Sequence, residues 1–463
     1  MSNYKKFAIR GFNPCESLLR HSPEQLRTFL RRMKKLNFNT IILHYDYGWK
    51  RYQDLLLSEC EANGINIILM TFGPRTFLSY SDWKPSWFAK KEDGTPYTNR
   101  LECETYPCAF EPEALAAYKY GAIQWLKSLP PQIKNVHMRA ADGLMFCQCE
   151  KCRVLPDHEK WQPFVDLFTE AVLETRPDLE FETDIYVKRY NIPNHREPYR
   201  QMQHIMYDTF YRCPSLPLGC DRDIFNSGVV KYAATEPNPD AITPNMYHLN
   251  RLKEWTTSFP GKMYIHENAM AQGYYGNFQF GTMALLEDLK LYQQLGVDGV
   301  YYEAYEPGYY QFNDMFEVLA KALNGEDPDY QPNDVEKQIF NGARPYAPDS
   351  PIDLDKYFTD PVQRQQMHFY REYDYSPAMY RKYIEFAFAH EDRFDPLFLG
   401  YNLAYYGKYY KKNKFQKLSE GAELMLSYRK LWDFMELVPA DQDPRKVCRD
   451  IIFELADKIE FYS

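Results

Sequence analysis

Eight short apolar runs, most of them separated by helix-like segments, occupy the chain between Phe7 and Glu303, and this alternation limits what it can fold into. The runs are Phe7–Phe12, Thr40–His44, Ile65–Phe72, Val136–Ala141, Leu179–Tyr186, Ile205–Tyr211, Lys262–Glu267 and Val297–Glu303. Several are apolar at nearly every position, as expected of parallel strands covered on both faces. The intervening segments carry helix signals. Ser22-Pro23-Glu24 reads as an N-cap followed by proline at the first helical position. Leu26, Phe29, Leu30, Met33 and Leu36 then fall at helical spacing, and Gly64 ends a second helix that begins near Tyr52.

Strand–helix alternation of this count predicts an α/β chain built as a (β/α)8 TIM barrel. An open doubly wound sheet is the competing architecture, and the lack of a glycine-rich phosphate fingerprint after the first run weighs against it. Beyond Gly325 no strand pattern returns: proline and aspartate cluster from Asp327 to Asp355, and helix-like stretches follow. The expected division is a catalytic barrel over 1–325 and a C-terminal helical region, 326–463, packed on it.

Composition narrows the partners. The chain has 463 residues and is 45% hydrophobic, enough to build a large core. Its formal charge is −9, with 64 acidic against 55 basic residues, which argues against a nucleic-acid partner. No run is long enough to span a bilayer, and the apolar run after Lys6 is too short for a signal-peptide core, so the expectation is a soluble, cytoplasmic protein. Tyrosine is abundant at 40, beside 30 Phe and 7 Trp. Such rings pack cores in most proteins, but they also stack on sugars. A long segment from Gly73 to Phe110, holding Trp83, Trp87 and Tyr97, has the length of a lid or binding loop. Its aromatic rings are expected to line sugar subsites.

Barrel enzymes place their chemistry where strands end. Those ends carry His44 and Asp46, Asp142, Asp184 and Tyr186, Asp208, Glu267, and Glu303 with Glu306. Carboxylates so gathered repel one another unless basic groups offset them, and Arg75, Arg139, Lys188 and Arg212 are the candidates. Paired carboxyls serve glycosidic cleavage, one protonated and one ionised. Any one of these acids is as easily a loop cap; the set favours chemistry. His44 and His266 show no metal-binding spacing.

Cys147, Cys149 and Cys152 follow the fourth strand with spacing C-x-C-x2-C. Structural zinc needs a fourth ligand, and Cys103 or Cys108 in the neighbouring loop would supply it. Free, partly buried thiols and a disulfide are the competing readings.

Asp142-Gly143 followed by Phe146-Cys147-Gln148-Cys149-Glu150-Lys151-Cys152 resembles the signature of domain-of-unknown-function family 4838, some of whose members are classed as glycoside hydrolase family 163. Gly296-Val297-Asp298-Gly299-Val300, Phe312-Asn313-Asp314-Met315 and Asp327-Pro328-Asp329 resemble that family's closing segment. The resemblance runs from about Ile133 to Phe340. It implies a barrel glycosidase with relatives that release N-glycans by endo-β-N-acetylglucosaminidase action. It also implies catalytic acids at strand ends, which points to Asp142, Glu267 and Glu303.

The expected activity is hydrolysis of a β-linked oligosaccharide or glycan, with N-acetylhexosamine units as candidates and retention as the expected stereochemistry. Glu267 or Glu303 would be the nucleophile, or would orient an N-acetyl group acting as one. Asp142 or the other glutamate would be the acid/base. His44, Asp46, Arg139, Asp184, Tyr186, Asp208 and Glu306 would bind substrate. No cofactor is expected for catalysis. A non-catalytic sugar-binding barrel, and a metal-dependent isomerase or lyase using His44, Asp184 and Glu267, are the alternatives.

Overall fold

Alternation along each strand decides which side chains fill the barrel and which face the helices, and this sets up the site. A computed structural model describes residues 2–14, 18, 21–78, 83–97, 106–140, 146–186, 188–210, 212–222, 243–268, 281–303 and 313–343, with short pieces at 361–362, 382, 385–390, 437–443, 446–450 and 453. The eight strands are β1 (Ile9–Asn13), β2 (Thr40–His44), β3 (Asn66–Thr71), β4 (Asn135–Met138), β5 (Glu180–Ile185), β6 (His204–Asp208), β7 (Met263–Glu267) and β8 (Gly299–Glu303). Each pairs in parallel with the next, and β8 closes on β1, giving a closed (β/α)8 TIM barrel. Five lie within the expected runs, and β1, β4 and β6 each overstep theirs by one residue. β4 ends at Met138, short of the expected Ala141.

One parity class points inward. Ile42, Ile68, Met70, Met206, Tyr264 and Tyr301 form a separate cluster inside the barrel. Their neighbours Ile41, Leu43, Leu69, Val136, Ile205, Ile265 and Val300 belong to the larger core shared with the helices. Tyr264 and Tyr301 meet edge-on with centroids 4.7 Å apart. Two glycines make room for this filling. A Cβ at Gly11 would lie 2.2 Å from Tyr301 Cδ1, and one at Gly299 would lie 2.4 Å from Ile9 Cβ.

The helices form as the sequence signals. Ser22 caps helix Pro23–Lys35 in a reciprocal box with Gln25, and Leu26, Phe29, Leu30 and Met33 are its buried face. A π-helical turn, Tyr45–Trp49, leads from β2 into helix Lys50–Asn63, which Gly64 ends in the left-handed conformation at φ 66°. Helices Pro112–Ser128, Asp157–Thr175, Pro244–Ser258, Thr282–Gln294, Asn313–Leu323 and Asp334–Phe340 follow. No described helix is long and apolar enough to cross a membrane. Most of the expected C-terminal helical region lies outside the described residues. Its piece 437–443 meets the barrel layer, where Arg51 Nη2 donates to the carbonyls of Pro439 and Gln442 at 3.1 and 3.0 Å.

Candidate active site at the barrel mouth

Inward parity carried to the strand ends sets Asn13, His44, Asp184, Asp208, His266 and Glu303 around the C-terminal opening, with Arg139 one residue past β4. All seven are buried. Asp208 is the hub. Its Oδ2 accepts from His266 Nδ1 at 2.8 Å and from Arg139 Nη2 at 3.4 Å, and its Oδ1 accepts from Asn268 Nδ2. A carboxylate only accepts, so His266 carries its proton on Nδ1, and Nε2 is left to accept from Asn13 Nδ2 at 3.1 Å. Asp184 lies between two arginines: Arg189 Nη1 donates to Oδ1 at 3.1 Å, and Arg139 Nε is 3.5 Å from Oδ2. The Arg139 guanidinium lies 4.4 Å from the centre of the Tyr186 ring. Glu303 is in register with Asn13 across the β1–β8 seam.

Below this ring a second polar cluster fills the barrel. Glu182 Oε1 accepts from His137 Nδ1 at 2.7 Å and from the Tyr264 hydroxyl. Burial first, and then the Glu182 charge, holds Tyr264 well above the ordinary phenol range, so it remains a donor.

The structure brings together Arg139, Asp184, Tyr186 and Asp208, all named in the strand-end reading. It adds Asn13, Arg189, His266 and Asn268, which that reading left out or unassigned. Asn13 stands in register with Glu303 and His266 with Asp208, neighbours that meet only once the barrel closes. Arg189 lies in the loop after β5, where spacing gives no cue. His44 packs its ring 5.1 Å from Phe72. Asp46, in the π-helical turn, accepts from Thr76 Oγ1 at 2.6 Å. Asp142 and Glu306 lie outside the described residues.

Glu267 departs from the expectation that it joins the mouth. It follows inward His266, so it faces outward into the layer between barrel and helices. Its Oε2 accepts from Thr209 Oγ1 at 3.0 Å and lies 3.2 Å from Arg212 Nε. Its Oε1 accepts from the hydroxyl of Tyr292 on helix Thr282–Gln294. Arg212 also donates to Asp288 Oδ2 at 2.6 Å, and the Leu218 N–H donates to Asp288 Oδ1 at 2.7 Å. Burial works to lower Arg212, yet attraction from Asp288 and Glu267 outweighs it and raises the guanidinium further. The loop tryptophans differ from expectation as well. Trp83 and Trp87 are buried, with Trp83 against Phe88 at 5.0 Å and Trp87 Nε1 donating to Glu113 at 3.4 Å.

The cysteines converge beside the mouth. Cys108, Cys147, Cys149 and Cys152 bring their sulfurs within 4.8 Å of one another, Cys108 being the fourth member. Cys103 lies outside the described residues. Ala89 and Tyr97 pack against the group. Cys147 Sγ accepts backbone N–H groups from Lys90 at 3.3 Å and from Cys149 at 3.4 Å. Hydrogen bonds from Cys108 and Cys152, with these backbone donors, draw Cys147 well below the usual thiol range.

No protein-family model matches the chain, and no curated protein matches it in sequence. The resemblance to family 4838 thus rests on the motif residues alone. Solved structures are similar at a low level. A cold-adapted β-galactosidase from Rahnella sp. R3 is 15% identical with a TM-score of 0.45, over 70% of this chain and 58% of that one. Gan42B, a GH42 β-galactosidase from G. stearothermophilus, is 11% identical with a TM-score of 0.44, over 84% and 71%. The PgaB glycoside hydrolase domain from Bordetella bronchiseptica is 11% identical with a TM-score of 0.41, over 69% and 99%. The chain spans 54% of the β-galactosidase from Marinomonas ef1 and 59% of a glycoside hydrolase family 5 protein from Bacteroides vulgatus. No residue role comes with likenesses this distant.

Proposed function

We propose that the chain is a glycoside hydrolase that cleaves a β-linked oligosaccharide, with N-acetylhexosamine-containing chains as the first candidates. One observation carries the reading: a closed barrel presents buried carboxylates at its mouth, on β5, β6 and β8, interleaved with amide, imidazole and guanidinium groups. Such a ring suits a neutral, hydroxyl-rich ligand, whose groups both donate and accept.

In this reading Glu303 and Asp142 are the working pair. Glu303 ends β8, and Asp142 follows β4, the strand opposite β8 in the closed order. Asp142 would protonate the glycosidic oxygen. Glu303 would attack the anomeric carbon, or orient a substrate N-acetyl group that does so. Arg139, Asp184, Tyr186, Asp208 and His44 would hold hydroxyls. Glu267, sealed by Tyr292, Thr209 and Arg212, would hold the wall and touch no substrate. Carboxyls about 5–5.5 Å apart would retain anomeric configuration, and retention is the expected outcome.

A panel of aryl β-glycosides tests this. Wild type should release aglycone from at least one member, while Glu303→Gln and Asp142→Asn should each lose about 100-fold or more without loss of fold. Oligosaccharide binding without release from any substrate would overturn the reading in favour of a sugar-binding barrel. Loss of activity on chelation, with the fold intact, would overturn it in favour of a metal-dependent lyase or isomerase.

A further inference from the structure

The four cysteines take no part in the proposed chemistry, yet they come from distant parts of the chain. Cys108 lies just before helix Pro112–Ser128, and Cys147, Cys149 and Cys152 lie in the loop between β4 and helix Asp157–Thr175. All four are free thiols, three of them buried and Cys149 partly exposed. Cys108 Sγ lies 3.8 Å from Cys149 Sγ and 3.7 Å from Cys152 Sγ. Those separations are far too long for a disulfide, whose sulfurs sit about 2.05 Å apart. They match the edge of a tetrahedron around zinc: a Zn–S bond of about 2.3 Å places sulfurs about 3.8 Å apart.

The surrounding backbone is built for thiolates. The N–H groups of Lys90 and Cys149 point at Cys147 Sγ, where they would stabilise negative charge on sulfur. Cys152 N and Arg153 N both donate to Cys149 O at 2.9 Å, folding the C-x2-C segment into a tight turn that presents both sulfurs to one point. Cys108 is held in turn by its N–H to Trp87 O at 2.8 Å, and Gln148 N–H donates to Lys90 O at 2.7 Å. The strip 87–90 therefore braces both arms of the cluster.

We propose that Cys108, Cys147, Cys149 and Cys152 form a structural tetrathiolate zinc site that ties the β3–α loop to the β4–α loop at the rim of the barrel. Four protein sulfurs complete a tetrahedron and leave no open position for a water or substrate, so the ion braces the fold and takes no part in bond cleavage. Each ligand that enters as a thiol gives up its proton on binding, so loading the site acidifies an unbuffered solution. The clamp begins at Cys147, a few residues past the end of β4.

Metal content tests the site without any substrate, so its result stands apart from that of the glycosidase assay. The full chain, purified without a metal-binding tag from zinc-supplemented medium, should contain one zinc per chain by elemental analysis. Replacement with Co(II) should give the intense visible bands and near-ultraviolet sulfur-to-metal charge transfer of a tetrahedral tetrathiolate. Cys108→Ser should lose the metal, and the partly exposed Cys149→Ser should weaken binding at least about 10-fold. Cys60→Ser, outside the cluster, should keep full occupancy. Stripping the ion should lower Tm by about 5 °C or more. A folded wild-type chain that binds neither Zn(II) nor Co(II), with all four thiols open to a thiol reagent once the chain is unfolded, would overturn the proposal. So would full metal retention in folded Cys108→Ser.

Discussion

The two faces of β7 differ by one residue and by everything that residue can do. His266 turns inward and meets Asp208 and Asn13. Glu267 turns outward and meets Arg212, Thr209 and Tyr292 beneath a helix. Both are fully buried, and both belong to charged networks. The inner network stands at the C-terminal ends of the strands, the end at which barrel enzymes carry their chemistry. The outer network is roofed by side chains on all the sides described. Burial and charge therefore do not by themselves mark a catalytic group; the proposed function adds the direction of the side chain relative to the barrel axis. An outer network is costly to assemble and costly to break, because removing one partner leaves buried charges uncompensated.

The largest stability effect should come from the outer network. Arg212→Met strands the Glu267 and Asp288 carboxylates, and the expected loss is about 3–5 kcal/mol, read as a fall in the urea midpoint. A loss within about 0.5 kcal/mol would show that the outer cluster is not the staple described. The next effect is pH-dependent. His248, on helix Pro244–Ser258, sits against the outer face of β6, where Nε2 donates to Phe210 O at 2.8 Å and Nδ1 faces the Tyr207 hydroxyl at 3.2 Å. Burial is the main cause that lowers it to about 4; the Phe210 carbonyl and Asp208 oppose the shift, and Arg212 adds to it. A histidine depressed in the fold contributes stability that is fully present above about pH 6.5. That stability is lost as pH falls through 6.5 toward 4, by up to about 3 kcal/mol. His248→Gln should flatten this slope in denaturation curves taken across that window; an unchanged slope would assign the acid sensitivity elsewhere. The smallest effect belongs to Thr209→Val, which removes one hydroxyl from Glu267 and should cost about 1 kcal/mol while leaving any turnover intact.

Much of the barrel was legible in the sequence because it is written in local terms. Thr40–His44 is a continuous apolar run that both faces of the fold then bury, and Ser22-Pro23-Glu24 with Gln25 fixes a helix start through backbone donors next to it in sequence. The strand ends were legible as places where acids collect. Their direction was harder. In Met263-Tyr264-Ile265-His266-Glu267 both faces carry apolar residues first, so the pattern offers no contrast between inside and outside. Only the closed barrel, in which Tyr264 meets Tyr301 and Ile265 meets the helices, gives each residue its side. Arg189 escaped notice because its pairing with Asp184 depends on how the loop after β5 turns back. The cysteine spacing placed three thiols in one loop, and bringing Cys108 to them as the fourth required the packing of Trp87 and Lys90 between two loops.

The central claim is that chemistry resides on the inward set and stability on the outward set, and one paired measurement tests it. Initial rates on the cleaved aryl glycoside, together with thermal melts, should be recorded for Glu303→Gln and Glu267→Gln side by side. Glu303→Gln should lose about 100-fold or more in rate with Tm close to wild type, and Glu267→Gln should melt lower yet turn over at a rate within a few-fold of wild type. The reverse pattern, an inactive Glu267→Gln of unchanged Tm beside an active Glu303→Gln, would contradict the assignment of the two faces.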